Sequence, residues 1–192
     1  RWVQRVLRLG CAADPARDGL LRELYALAWT RGPEVEHWHA HPAVRAALRL
    51  ERRVSLETHR FRGLLRFRRL ATGRLWGPME PDHDVTPLVA PFFRQRFDSE
   101  RWLIHDVRRG YGIGGDPPAG ECRLWTAAEI EAELAAGLDV SEQAWQALWR
   151  TFYRSIAITA RRSPAVQRRC MPVRYWRHLI EEPGGTPRTG AR

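Results

Sequence analysis

The segment RFRGLLRFRRLATGRLWGPME, residues 60–80, decides the fold, because the spacing of its apolar residues differs from the spacing before it. Apolar and basic side chains alternate over residues 61–70, and this alternation predicts a β-strand. Thr72-Gly73 favours a turn, and residues 74–80 are predicted to return as an antiparallel partner strand. We therefore expect a small antiparallel sheet in the middle of the chain.

Helices are predicted before this segment. Apolar residues recur at helical spacing over residues 20–28, and Gly32-Pro33 marks the end of that helix. A second helix is predicted to begin at Pro42, because proline suits the first turn, and to run toward His59.

The rest of the sheet is predicted from three segments after residue 80. A short helix over residues 88–97 precedes a third strand over residues 101–106. Residues 110–120 are rich in glycine and proline and predict a loop, and residues 122–125 predict a fourth strand.

The final third of the chain is predicted to be helical. Asp139 and Glu142 resemble a capping box at the start of a helix. That helix carries a continuous apolar stripe: Trp145, Leu148, Trp149, Phe152 and Ile156. The fold class is therefore α+β, a small, mainly antiparallel sheet flanked by N-terminal and C-terminal helices. We expect one domain over residues 1–180, truncated at its N-terminus, and a Pro/Gly-rich linker or tail over residues 181–192.

Charge is the main indication of a binding partner. The chain carries a formal net charge of +10, and all 32 of its basic residues are arginine. Eight arginines and no acidic residue lie between Arg150 and Ile180. Such a segment predicts binding to a polyanion, with nucleic acid as the first candidate, although a solvated face or a dock for an acidic protein remains an alternative.

Arginines and neighbouring aromatic residues supply the candidate nucleic-acid contacts, because guanidinium groups bind phosphate and stack on flat rings. Those on the predicted strand and its neighbours could instead pair with carboxylates. The candidates are Arg62, Arg66, Arg68, Arg109, Arg161, Arg162, Arg168, Arg169, Arg174, Tyr175 and Trp176.

Three histidine-containing polar clusters interrupt the apolar runs between residues 57 and 109. Histidine beside carboxylate suits general acid–base chemistry or a divalent metal, and a metal-assisted nuclease is one hypothesis. The alternative is a hydrogen-bonded network that stabilises the sheet. The catalytic candidates are His59, Glu80, His83, Asp84, His105 and Asp106. No metal-binding motif is evident, although a divalent metal is possible.

Cysteine usage and hydropathy bear on the compartment. Cys11, Cys122 and Cys170 are far apart and form no C-x-x-C motif, which favours a reducing cytoplasm over a disulfide framework. No apolar run approaches the length of a membrane span, and no signal peptide is evident. A phosphate-binding loop and the common hydrolase motifs are also absent from the sequence.

Several long motifs resemble one known family. They are HPAVR, RRVSLETHRFRGLLRF, MEPDHDVTPLVAPFFRQRF, WLIHDVRRG and FYRSIAITARRSPAVQRRCMPVRYWRHL, which together span the chain to about Leu179. The chain is identified by them as similar to the DUF4130 family of bacterial DNA-metabolism or DNA-repair proteins. The resemblance implies a radical-SAM partner protein and frequent fusion to a uracil-DNA glycosylase-like domain, but it supplies no catalytic residues.

The charge, the polar clusters and the resemblance support three hypotheses. The first is a DNA-repair accessory domain that binds nucleic acid or docks a repair partner. The second is a metal-dependent nuclease or related hydrolase that uses the histidine and carboxylate clusters. The third is a protein-interaction scaffold for the radical-SAM partner.

Overall fold

The computed structural model describes residues 2–117, 122–158 and 163–181. The chain divides into two compact units, one made of Arg1–His59 with Pro81–Val89 and the other of Arg60–Glu80 with Ala90–Arg192. The expected single domain over residues 1–180 and the linker after it stay predictions, and residues 182–192 lie outside the described chain.

The first unit is helical. Helix α1 spans Trp2–Gly10, α2 spans Arg17–Arg31, and a 3-10 helix covers Gly32–His37. Helix α3 spans Pro42–Leu64, and its part up to His59 belongs to this unit. The predicted stop of α2 is confirmed, because Gly32 caps that helix with a φ of 69°. Buried aliphatic residues at helical spacing form the core of this unit: Leu9, Leu24, Val35, Val44, Ala47, Leu50, Val54, Val85 and Val89.

The second unit contains a five-stranded sheet in the order β1-β2-β3-β4-β5. The strands are Arg68–Arg69, Leu75–Met79, Trp102–Asp106, Tyr111–Gly115 and Cys122–Trp125. Strands β2 and β3 pair in parallel, and the other three pairs are antiparallel. The parallel pair is joined through α4, Thr86–Arg96. The predicted α+β class with a mainly antiparallel sheet is confirmed.

The prediction of a strand over residues 61–70 was wrong for most of its length. Residues 61–64 continue α3, and β1 is limited to Arg68–Arg69. Phe61 and Leu65 are both buried, and their spacing of four residues fits one face of a helix as well as one face of a strand. The alternation was therefore compatible with both structures, and the helix that began at Pro42 continued through it.

The prediction of a loop over residues 110–120 was also wrong, because residues 111–115 form β4. Gly112 and Gly114 lie where the sheet is too crowded for a side chain. A Cβ on Gly112 would lie 2.6 Å from the carbonyl oxygen of Ile104, and one on Gly114 would lie 2.6 Å from that of Trp102. The glycines that predicted a loop are thus required by close contact between strands.

The capping box lies one helix earlier than predicted. Thr126 and Glu129 form it at the start of α5, Ala127–Leu134, through the Thr126 side chain and the Glu129 carboxylate. Helix α6, Glu142–Ser155, begins without a side-chain cap. Glu142 is instead buried and accepts a hydrogen bond of 2.8 Å from the backbone N–H of Arg69.

The C-terminal part of the second unit is helical, as expected. Helix α7 spans Pro164–Cys170, and a 3-10 helix covers Val173–His178. One face of the sheet is closed by α5, where Ile130 packs on Leu103 and Trp125. None of the helices within the described ranges combines the length and the hydropathy that crossing a bilayer requires.

Candidate functional site

The candidate catalytic residues are divided between the two units. In the first unit the buried carboxylate of Glu57 accepts the backbone N–H groups of Asp82 and His83, at 2.8 and 2.7 Å. His83 is buried as well, and its Nδ1 accepts the backbone N–H of Ala13 at 3.1 Å. These bonds give Glu57 and His83 a structural role, which is to fix the segment that precedes α4.

Two further candidates lie in the same unit. The backbone N–H of Asp84 donates to the carbonyl of Cys11 at 2.8 Å, so residue 84 also takes part in holding this segment. His59 is exposed near the end of α3. The structure therefore does not bring His59, His83 and Asp84 into one acid–base arrangement with each other.

In the second unit Glu80 forms a polar cluster with residues that the sequence patterns did not indicate. Glu80 Oε1 lies 2.9 Å from Nε2 of His178 and 2.9 Å from Nη1 of Arg177. Burial lowers the pKa of His178, and the charges of Arg68 and Arg177 act in the same direction against the opposing effect of Glu80. His178 is thus held mainly neutral near pH 7. No local motif indicates it, because its partner is 98 residues away.

His105 lies close enough to this cluster for the charge of His178 to act on it. Burial lowers the pKa of His105, and the charge of His178 lowers it further against the effect of Asp106. The Nδ1 atom of His105 is buried and has no hydrogen-bond partner within the described chain, and the same is true of Nε1 of Trp76. The two rings are 6.3 Å apart. Buried polar atoms of this kind are uncommon and call for a structural or functional reason.

Arg68 completes the group. Its guanidinium lies 5.6 Å from the centre of the Trp76 ring, and its Nη2 donates to the carbonyl of His178 at 3.3 Å. Burial lowers the pKa of Arg68. We call this group the histidine cluster, and its members are Arg68, Trp76, Glu80, His105 and His178.

Asp106 is separated from His105 by strand geometry. Successive residues of a strand point to opposite faces of the sheet, so Asp106 faces away from the histidine cluster. Its buried carboxylate accepts the backbone N–H of Arg109 at 3.0 Å and Nη1 of Arg109 at 2.8 Å. This pair closes the turn between β3 and β4, where Gly110 has a φ of 68°. Arg109, a candidate for nucleic acid, is thus engaged in an internal ion pair.

Metal binding was the other possibility raised by these residues. Across the ranges that the structure describes, no three His, Cys, Asp or Glu side chains are grouped so that they could hold a metal ion. The three cysteines Cys11, Cys122 and Cys170 are free thiols. The histidine cluster provides two imidazoles and one carboxylate for proton transfer or hydrogen bonding.

The candidate arginines near α3 have different environments. Arg66 forms an ion pair with Glu181. Burial by itself would raise the pKa of Glu181, but hydrogen bonds from Arg66 and Trp149 outweigh it and lower the pKa. Arg62 is exposed, with its guanidinium 5.6 Å from the ring centre of Phe92. Arg66 therefore stabilises the fold, while Arg62 faces solvent.

The arginines of α7 project into solvent. Arg168 and Arg169 are exposed, and within the described chain no carboxylate pairs with either of them. Arg60 donates from Nη2 to the carbonyl of Arg169 at 3.4 Å, which places α7 beside the last turn of α3. Arg174 is also exposed, and its guanidinium lies 4.7 Å from the ring centre of Tyr175. We call Arg60, Arg168, Arg169 and Arg174 the C-terminal basic surface.

The two aromatic candidates anchor this surface. Tyr175 is buried and packs edge-on against Phe61 of α3, with ring centres 4.9 Å apart. Trp176 donates from Nε1 to the carbonyl of Met171 at 2.8 Å. Both rings thus hold the 3-10 helix Val173–His178 in place, while the arginines of this helix remain exposed. Arg161 and Arg162 lie outside the described residues.

Comparison with known proteins identifies a family. The family model DUF4130, described as a domain of unknown function, matches residues 15–181 of the chain. No curated protein and no solved structure matches the chain.

Proposed function

Because the chain belongs to the DUF4130 family, whose function its description leaves open, we propose that it is a nucleic-acid-binding accessory domain in DNA metabolism or repair. The observation that carries this proposal is the C-terminal basic surface, where Arg168 and Arg169 are exposed beside Arg60. A radical-SAM protein and a glycosylase-like domain are the partners that the resemblance implies, and both belong to the proposal.

Electrostatics support nucleic acid as the ligand. A segment of the chain with eight arginines and no carboxylate between Arg150 and Ile180 creates a positive potential that attracts polyanions. Arginine also binds phosphate oxygens in pairs, through two parallel N–H donors. Contacts of this kind position a nucleic acid without reading its sequence. We therefore propose binding that depends on salt and has little sequence preference.

Fluorescence anisotropy with a labelled oligonucleotide tests the proposal. Binding is expected at low salt, and the logarithm of the association constant should fall linearly with the logarithm of salt concentration. The double variant Arg168→Glu with Arg169→Glu should weaken binding. It should also make the slope shallower by about 1 for each phosphate that the protein no longer neutralises.

The matched control is Arg49→Glu with Arg52→Glu. These two arginines are exposed on α3 in the first unit and are not members of the C-terminal basic surface, and their replacement changes the net charge by the same amount. Equal weakening by both double variants would show that only the net charge matters and would remove the assignment to the C-terminal basic surface. Absence of binding at low salt would overturn the proposal.

The histidine cluster favours a second candidate, a hydrolase that acts on nucleic acid. Its two half-buried imidazoles and the unpartnered Nδ1 of His105 are the observation that supports it. Cleavage of a labelled oligonucleotide should be measured with Mg²⁺, with Mn²⁺ and with a chelator. Cleavage that is lost in His105→Gln and in His178→Gln would support the hydrolase. No cleavage under any of these conditions would leave the cluster with a structural role.

A further inference from the structure

Helix α6 presents an apolar face to solvent. Trp145 is 63% exposed and Phe152 is 50% exposed, and Leu148 and Ile156 are exposed on the same stripe. Their spacing of three and four residues places them along one side of the helix. A contiguous exposed apolar face on a charged protein indicates a binding surface.

The chemistry around this face indicates what binds to it. Trp149 lies in the same stripe. The centre of its ring is 5.9 Å from the centre of the Phe152 ring and 5.5 Å from the Arg66 guanidinium. Arg150 flanks the stripe and donates from Nε to the carbonyl of Ile180 at 3.2 Å. Arg154 is exposed on the opposite side of the helix. A guanidinium group therefore lies against one ring of the stripe, and no acidic residue occurs between Glu142 and Glu181 in the sequence.

We infer that the α6 face binds single-stranded nucleic acid, with bases stacked on Trp145 and Phe152 and with the phosphates attracted by the positive charge of the arginine-rich segment that follows Arg150. This inference rests on the proposed function and adds the class of nucleic acid. Exposed rings within a positive field are the arrangement that binds unpaired bases, because every base offers a flat face to an aromatic side chain. Duplex bases are stacked on each other and cannot reach these rings.

Charge complementarity favours this occupant over the alternatives. A second copy of the chain would bring the same arginines to the contact and would be repelled by them. Residues 60–66 have contacts toward both α7 and α6. In that segment Arg60 contacts α7, while Arg66 contacts Glu181, which in turn accepts a hydrogen bond from Trp149 on α6.

The test compares a labelled single strand of about 20 nucleotides, longer than the site of one binding domain, with its own duplex in fluorescence anisotropy. The single strand should bind more tightly. The double variant Trp145→Leu with Phe152→Leu keeps an apolar stripe but removes both rings, and it should weaken single-strand binding about five-fold or more for each ring that stacks a base. Its binding to duplex should change little.

The matched control is Tyr25→Leu with Trp29→Leu, because these two rings are also exposed and lie together on α2. It should leave single-strand binding unchanged. Circular dichroism confirms that both double variants are folded. Sedimentation of the free protein should show a monomer, and a dimer that Trp145→Glu dissociates would assign the face to a second copy and overturn the inference.

The results separate this inference from the proposed function. Equal binding of single strand and duplex, weakened by Arg168→Glu with Arg169→Glu but not by removal of the rings, overturns the inference alone. Failure of both oligonucleotides to bind overturns the proposed function and the inference with it.

Discussion

Arg66 and Glu181 form an ion pair that joins the segment following α3 to the end of the described chain, 115 residues later. The Glu181 side chain is completely buried, and Trp149 Nε1 donates a second hydrogen bond to it at 3.0 Å. A carboxylate removed from water in this way is tolerated only because its charge and its lone pairs are satisfied. The pair therefore fixes the C-terminal segment and α6 against the segment that follows α3.

Arg66→Leu should destabilise the protein by about 3 kcal/mol, because it leaves a buried carboxylate without its cation. The double variant Arg66→Leu with Glu181→Leu should recover much of this stability, since it removes both charges. Urea unfolding measures both free energies. Arg154→Leu, at an exposed arginine of α6, serves as the control and should change stability by less than about 0.5 kcal/mol. Equal destabilisation in the single and the double variant would contradict an electrostatic role for the pair.

The same carboxylate should make stability depend on acidity. The folded-state pKa of Glu181 lies below the ordinary value of 4.5, so folding favours its deprotonated form. This contribution is present above the unfolded-state pKa and is lost as the pH falls through the folded-state pKa. Glu181→Gln should therefore be less stable than the wild type near neutral pH, and the difference should shrink as the pH falls below 4.5 and through the lowered folded-state pKa. Urea unfolding at several pH values checks this, and curves that stay parallel on acidification would contradict it.

Two glycines, one in β4 and one in α3, provide a test of packing. Gly114→Ala would place a Cβ 2.6 Å from the carbonyl oxygen of Trp102 and 2.8 Å from Nε1 of Trp125, so we expect destabilisation by about 2 kcal/mol or more. Gly63→Ala has open space around it and lies inside α3, so it should stabilise the protein by about 0.5–1 kcal/mol. Thermal unfolding should move the two melting temperatures in opposite directions. A neutral Gly114→Ala would show that β4 can shift away from β3.

These positions also show how far the sequence alone could predict the fold. The helices from Pro42 and over residues 20–28 were predictable, because their apolar spacing fits only one period. Phe61 and Leu65 fit two periods, and only the continuation of α3 selected the helix. Gly112 and Gly114 are typical of loops until the neighbouring strand is known to lie against them. The pattern of residues around the two glycines does not reveal that β3 will lie against them.

The candidate site was predictable only where its parts are close in sequence. Glu80 and His105 were identified from their clusters, and the pairing of β2 with β3 brings their strands together. His178 comes from a segment 98 residues beyond Glu80, so no spacing rule could indicate it. The arginines were predictable as a group, but their division into internal ion pairs, such as those of Arg66 and Arg109, and exposed groups depends on tertiary contacts.

The histidine cluster makes a prediction about the pKa of His178. Burial lowers this pKa, the hydrogen bond and charge of Glu80 raise it, and the charge of Arg68 lowers it. Glu80→Gln should therefore lower the pKa of His178 further, and Arg68→Gln should raise it toward the ordinary value of 6.5. NMR titration of the imidazole C–H signals measures both shifts, and the spectrum of His178→Gln identifies the signal. An unchanged pKa in both variants, or shifts in the same direction, would mean that the charges of Glu80 and Arg68 do not control His178, and the cluster would then lack the charge coupling that acid–base chemistry requires.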